Sequence, residues 1–299
     1  MRILITGGNG FIGAWIVRRL AAEGHDVRLF DIVERRDIVT AIAGKRIADA
    51  AEWVTGDIVD GAAVAAAARD CEGIVHMAGV LTPFCAANPV RGAMINVVGT
   101  LNVFEAARAH GISRIVYTSS AGVFGPDQGV EPFPITHYGA FKLANEGSAR
   151  AYLADHGLPS VGFRPYVVYG PGRETGLTAG PTLAARAAAR GEAYTIPYRG
   201  AAGLVYVDDV AAAYVAALLR EPDGAHVFNM VGEVASCEEV VAVIKRHVND
   251  ARISIDGPDL PFTPDVPEGN VRDVLAGIPA TTLEAGMADT IAFYRSRPR

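Results

Sequence analysis

The chain has 299 residues, half of them apolar and a fifth charged, with a formal net charge of -6. A packed globular protein of one large domain, or one domain with a smaller lobe, is expected. No basic cluster suits a phosphate backbone and no apolar run of 18 residues suits a membrane span, so neither nucleic acid nor membrane is an expected partner. The short apolar start breaks at glycine and is no secretory leader, so a cytoplasmic setting is expected. Cys71, Cys85 and Cys237 lack metal or disulfide spacing and read as small buried residues. No metal site is expected.

In chain order, Arg2–Thr6 reads as a strand and Phe11–Glu23 as a helix stopped by Gly24. Val27–Asp31 is a second strand, Asp37–Ala50 a helical segment and Glu52–Thr55 a third strand. Gly61–Arg69 reads as helix, Gly73–His76 as a fourth strand, Pro89–His110 as a long helix and Ile112–Ser119 as a fifth strand. A loop follows over Gly122–Ile135. Thr136 is a candidate N-cap for a helix over His137–His156, and Leu158–Arg164 is a sixth strand. This alternation predicts an α/β fold, a doubly wound parallel sheet covered on both faces.

Beyond Tyr169 the alternation weakens. A loop over Gly170–Gly180 precedes a helix at Thr182–Arg190 and strands at Tyr194–Ile196 and Leu204–Val207. Helices at Asp208–Arg220, Ser236–Asn249 and Thr281–Arg295 flank a strand at His226–Met230 and an irregular stretch at Asp256–Pro267. The expected division is a nucleotide-binding domain over 1–165 and a smaller substrate lobe over 166–299, with part of 204–230 returning to the first.

Chemistry enters at the first turn. Gly8, Gly10 and Gly13 form G-x-G-x-x-G between a strand and a helix, and Gly7 extends the cluster. Glycines there let backbone approach a pyrophosphate, and the free N–H groups of the helix start face the phosphates. Asp31 stands 18 residues after Gly13, at the end of the second strand. Its carboxylate can accept from both ribose hydroxyls of NAD and would repel the 2′-phosphate of NADP. Arg35 and Arg36 read as loop charges, so NAD is the expected cofactor.

Tyr138 and Lys142 are four residues apart, on one face of a helix. A fixed ammonium beside a phenol favours phenolate, so Tyr138 is expected to titrate nearer neutrality and to serve as a general base. Ser119-Ser120 closes the fifth strand, where ligands of open α/β sheets bind. Asn96 interrupts a long helix and so is expected to have a tertiary partner. His76 and His137 read as structural. Asp208-Asp209 precedes a helix and reads as N-capping and a salt bridge.

Together these stretches resemble the extended short-chain dehydrogenase/reductase family, the NAD-dependent epimerase/dehydratase group. The resemblance is carried by Thr6 through Gly13, Asp31, Gly56-Asp57-Ile58, His76-Met77-Ala78-Gly79 and Asn96 through Thr100. It continues through Tyr117 to Gly125, Tyr138 to Lys142, Arg164-Pro165, Val168 to Gly172 and Tyr206 to Val210. It implies a Rossmann-type domain holding NAD. Gly7, Gly10, Phe11, Ile12 and Gly13 would lie at the pyrophosphate turn, and Asp31 and Ile32 at the adenosine ribose. Asp57 and Ile58 would flank adenine. Met77, Ala78 and Gly79 would line the cofactor, with Asn96 supporting that wall. Ser119, Lys142 and Tyr166 would lie near the nicotinamide end. The implied catalytic triad is Ser120, Tyr138 and Lys142, with Lys142 also on the nicotinamide ribose.

The resemblance implies hydride transfer at a secondary alcohol or ketone of a sugar-like substrate. The product is an epimer if the cofactor stays bound and an oxidised substrate if it exchanges. Nucleotide-sugar epimerases of the group grip a diphosphate with an arginine near the position of Ala202 here; Arg199 is the nearby cation. The chain also reads as shorter in the substrate lobe than typical members. These departures open an alternative, dehydrogenation of a small free sugar acid or amino or hydroxy acid. Arg173 would hold its carboxylate, and Thr82 would stand at the pocket wall. A non-catalytic NAD-binding regulator is a further alternative, against which the intact Tyr138 and Lys142 argue. A homodimer through Pro89–His110 and His137–His156 is expected.

Overall fold

The apolar runs of the first half become parallel strands whose side chains alternate between two cores. Ile3 and Ile5 of β1 (Arg2–Thr6) enter one cluster and Leu4 the other. The structure is a computed structural model that describes residues 1–126, 131–220, 223–260, 266–269, 271–275 and 277–297. Parts of two expected loops, 127–130 and 261–265, lie outside the described residues.

The strands in chain order are β1, β2 (Asp26–Asp31), β3 (Glu52–Thr55), β4 (Gly73–His76), β5 (Ile115–Thr118), β6 (Ser160–Pro165) and β7 (Val167–Tyr169). They continue with β8 (Ala193–Ile196), β9 (Ala201–Tyr206), β10 (Ala225–Met230), β11 (Glu233–Ser236) and β12 (Arg252–Ile255). Seven of them form one sheet in the order β10-β6-β5-β4-β1-β2-β3, and every pairing in it is parallel. The chain runs outward from β1 to β3, then crosses to β4 on the other side of β1. That reversal makes a crevice at the carboxyl ends of β1 and β4, where such folds bind ligands.

Helices Phe11–Ala22 and Val207–Arg220 cover one face, and Gly61–Ala68 and Gly99–His110 the other. Thr136 caps the His137–His156 helix, its Oγ accepting from the Gly139 N–H at 3.1 Å. The segment 37–50 splits at Gly44 into two short helices. The long helix from Pro89 is continuous but passes through a π-helical segment, Met94–Val98.

After β6 the chain leaves the central sheet at Tyr166, whose N–H reaches the Met230 carbonyl at 3.0 Å. It then enters a second sheet, β11-β9-β7. A two-stranded sheet, β12-β8, completes the smaller lobe with helices Gly180–Arg190, Cys237–His247 and Leu283–Arg295. β7, β11, β12 and the helix Thr82–Ala87 have no sequence expectation behind them, because each is short and lacks a periodic apolar face. No helix among the described residues is long and apolar enough to cross a membrane.

Candidate active site

The crevice begins where β1 and β4 end side by side. Thr6 pairs with His76, so Gly7 lies against the backbone that follows β4. Gly7 has φ +73°, and a Cβ there would lie 2.6 Å from Ala78 N. Only glycine fits this close approach. The Gly10 N–H closes the turn on the Gly7 carbonyl at 3.0 Å. Gly10 then caps the Phe11–Ala22 helix without a side-chain hydrogen bond, so the N–H groups of its first turn have no cap from that residue. Phe11, Ile12 and Gly13 form that first turn.

A cleft of about 310 Å³ opens beside the turn. Of the expected cofactor residues, Gly7, Gly10, Asp31, Ile32, Asp57, Ile58, Met77, Ala78 and Gly79 line it. Asp31 accepts from the Asn9 N–H at 3.3 Å and the Ile32 N–H at 2.8 Å. Burial raises the Asp31 carboxyl above its ordinary value, against the pull of these bonds and of Arg35. Arg36 is taken up by Glu34 and Asp49 over the Trp53 ring, whereas Arg35 lines the cleft. At the far end Arg91 pairs with Asp57 at 2.6 Å and also lines the cleft. The sequence offered no signal for Arg91, which arrives from a distant helix.

Asn96 stands behind the cleft wall. Its Oδ1 accepts from the Val80 N–H at 3.2 Å, and its Nδ2 donates to the carbonyls of Val80 and Gly92. It lies in the π-helical segment, and its own carbonyl accepts from Asn145 Nδ2 at 2.9 Å and Thr100 Oγ1 at 2.7 Å. A Cβ on Gly79 would lie 2.7 Å from Asn96 Oδ1 and 3.7 Å from Lys142 Nζ. Gly79 is therefore where the cleft wall and the His137–His156 helix meet.

Lys142 is 4% exposed and donates to the Thr118 carbonyl at 2.7 Å. Burial lowers it to about 8. Its Nζ lies 5.7 Å from the centre of the Tyr138 ring. Ser120 follows β5, accepts from the Gly122 N–H at 3.0 Å and flanks Gly122 together with the Tyr138 ring, a Cβ there lying 3.3 Å from Ser120 Oγ and 3.5 Å from Tyr138 Cδ1. The structure thus brings Ser120, Tyr138 and Lys142 together.

One electrostatic expectation is overturned. Tyr138 is raised above an ordinary phenol, because burial outweighs the Ser120 hydrogen bond and the charge of Arg173. The ammonium is turned to Thr118 rather than to the phenol, so it does not hold Tyr138 near neutrality here.

The Ser119 side chain turns away from the cleft. Its hydroxyl is 1% exposed and donates to Glu146, whose carboxylate is forked by Arg164. That side chain faces the interior, because alternate residues at a strand end face opposite sides. Tyr166 packs with Val123, Phe124 and Val231 and does not line the cleft. Thr82 opens the short helix after β4.

Arg173 reaches Thr175 O at 3.0 Å, Val168 O at 3.4 Å and Thr178 Oγ1 at 3.2 Å. It lies 5.8 Å from the Phe11 ring centre and interacts with Tyr138, and burial lowers its pKa. No carboxylate pairs with it among the described residues. Arg199 pairs with Asp256 at the surface, and Ala202 is buried. His76 is held between Thr6 Oγ1 at 2.7 Å and Thr100 Oγ1 at 2.9 Å, and burial lowers it to about 3. Asp208 forks Arg19, and Asp209 accepts from the Thr281 N–H and hydroxyl.

The sequence model of the NAD dependent epimerase/dehydratase family matches residues 3–230. The chain belongs to that family. This epimerase/dehydratase is 31% identical to a UDP-glucose 4-epimerase of Mycolicibacterium smegmatis over 99% of both chains. It is 30% identical to a dTDP-L-rhamnose 4-epimerase of Burkholderia thailandensis, over 86% of this chain and 84% of that one. Among solved structures, the Thermus thermophilus UDP-glucose 4-epimerase in complex with NAD superposes with a TM-score of 0.82 at 26% identity, over 99% of each chain.

The cofactor of this epimerase/dehydratase is NAD. The residues present fit it: Gly7 leaves room for close backbone approach at the turn, and Asp31 presents a carboxylate to the cleft that could accept from ribose hydroxyls.

Proposed function

We propose that this epimerase/dehydratase inverts a secondary alcohol of a nucleotide sugar, with Ser120, Tyr138 and Lys142 as its catalytic groups. The observation that carries this reading is that Lys142 stands behind Gly79 of the cleft wall while Tyr138, on the same helix, lies with Ser120 beside Gly122. NAD, when bound, supplies a hydride acceptor at its nicotinamide. Gly7, Phe11 and Ile12 would hold its pyrophosphate, Asp31 its ribose, and Asp57 with Ile58 its adenine.

Tyr138 stays protonated at rest because burial raises its phenol. Its own proton passes to solvent as the substrate seats, and the resulting phenolate takes the substrate hydroxyl proton while Ser120 holds that oxygen in place. Lys142, already close to neutral pH, carries the balancing charge beside it. The relatives named for UDP-glucose and dTDP-L-rhamnose support a nucleotide sugar.

A second reading has its own observation. Arg173 points between the phosphate turn and Tyr138 with no carboxylate partner among the described residues, and Ala202 offers no diphosphate grip. These favour a substrate whose own carboxylate meets Arg173, such as a free sugar acid oxidised with release of reduced cofactor. The homodimer reading finds support in Val90 and Met94, both exposed on the long helix.

The test is direct. Purified protein that retains NAD and interconverts UDP-glucose epimers supports the first reading. Protein that reduces added NAD with free uronic acids supports the second. In either case Tyr138→Phe should lower turnover by about 10²–10⁴-fold with NAD affinity retained. Undiminished turnover would remove Tyr138 from the reaction.

A further inference from the structure

Three consecutive residues at the end of β5 each grip one residue of the His137–His156 helix. Thr118 accepts from Lys142 through its carbonyl, Ser119 donates to Glu146 through its hydroxyl, and Ser120 packs beside Tyr138 at Gly122. Positions 138, 142 and 146 are spaced by four and lie on one helix face. Two of the three grips involve the proposed catalytic groups. The third, Ser119 with Glu146, has no part in the chemistry.

We propose that Glu146 is a positioning residue whose carboxylate sets the register of the catalytic helix against the end of β5. The carboxylate is wholly buried and is shared between two neighbours in the central sheet. Arg164 of β6 forks it, with Nε at 2.7 Å from Oε1 and the other arm on Oε2. Ser119 takes the same Oε1. Glu146 is thus fastened to β6 and, through Ser119, to the chain between Thr118 and Ser120. A shift of Ser119 would move the Lys142 acceptor and the Tyr138 partner together. Phe124, in the turn after Ser120, packs under Arg164 with its ring centre 5.0 Å from the guanidinium, so that turn is braced by the same ion pair. A solitary buried pair would be a weak source of stability. Its placement between two catalytic contacts gives it a different role.

The inference rests on the proposed triad, and the test separates the two. Removing one partner would strand a buried charge, so Glu146→Leu is made together with Arg164→Met, which removes both charges at similar volume. The same measurements are made on Ser119→Ala, which leaves the ion pair intact. The first readout needs no substrate: the pH dependence of Lys142 acetylation by acetic anhydride, followed by peptide mass spectrometry, with exposed Lys45 and Lys245 as internal standards. The second is UDP-glucose epimerisation, and the third is NAD binding.

With register lost, the Lys142 midpoint should rise from about 8 towards the ordinary lysine value of 10.5. Turnover should fall by about a hundredfold at unchanged KM, with NAD affinity and melting temperature close to those of the parent. Ser119→Ala should show the same changes more weakly. A folded double variant with the parental Lys142 midpoint overturns the proposal, whatever its turnover. A shifted midpoint with Tyr138→Phe fully active would instead overturn the triad and leave Glu146 as the setter of register.

Discussion

A Cβ placed on Gly139 would lie 2.0 Å from the carbonyl oxygen of Gly122. Helix and turn therefore meet backbone to backbone at the point where Tyr138 meets Ser120. Gly139→Ala must push the helix start away, at a cost of about 2–3 kcal/mol in stability. Activity should fall further than stability, since Tyr138 is the adjacent residue. Denaturant unfolding and turnover on the same preparation check this; a variant with parental turnover would show that the contact does not position Tyr138.

Asp31 lines the cleft with Arg35 close enough to feel its charge. Asp31→Asn removes the charge that repels a 2′-phosphate. NAD affinity should fall by about tenfold, a loss near 1.4 kcal/mol. NADP affinity should rise, because Arg35 then meets a 2′-phosphate without the Asp31 charge beside it. Titration of the parent and the variant with both dinucleotides decides the matter.

Lys142 has a folded pKa of about 8, below its ordinary value of 10.5. The unfolded chain therefore binds more protons between those two values, and stability should rise with pH across that window. The contribution is fully present above 10.5 and is lost as pH falls through 8. Lys142→Met should remove this slope. Urea unfolding of the parent and the variant at several pH values from 7 to about 10.5 measures the difference directly, with the phenols common to both cancelling.

Arg173 is the residue that would separate an acidic substrate from a neutral one. Arg173→Met should raise KM for UDP-glucuronate by about tenfold or more, the worth of one charge-assisted hydrogen bond. KM for UDP-glucose should move much less, with NAD affinity unchanged. Equal effects on both substrates would assign Arg173 to the loop carbonyls it already touches.

The first crossover was legible from residues 3–31 because its requirements are local. A strand, a glycine turn that tolerates positive φ at Gly7, a helix start and an acidic strand end lie within one short stretch. Tyr138 and Lys142 were legible for a similar reason, since a four-residue spacing on a helix determines a shared face. Their electrostatics were not. Spacing says that a cation is near a phenol, whereas the burial that raises Tyr138 and the Thr118 carbonyl that draws Lys142 away come from other elements.

The sequence by itself determined the parallel sheet, the dinucleotide turn and the candidates for catalysis, all from patterns written within single elements. Tertiary structure alone decided which neighbour each candidate faces. Ser119 turns inward to Glu146 while Ser120 lies beside Tyr138, Arg91 reaches Asp57 at the cleft from a distant helix, and Asn96 supports the wall from behind. The physical reason is that a side chain's direction and burial depend on residues tens of positions away, brought together only when the sheet and its helices pack.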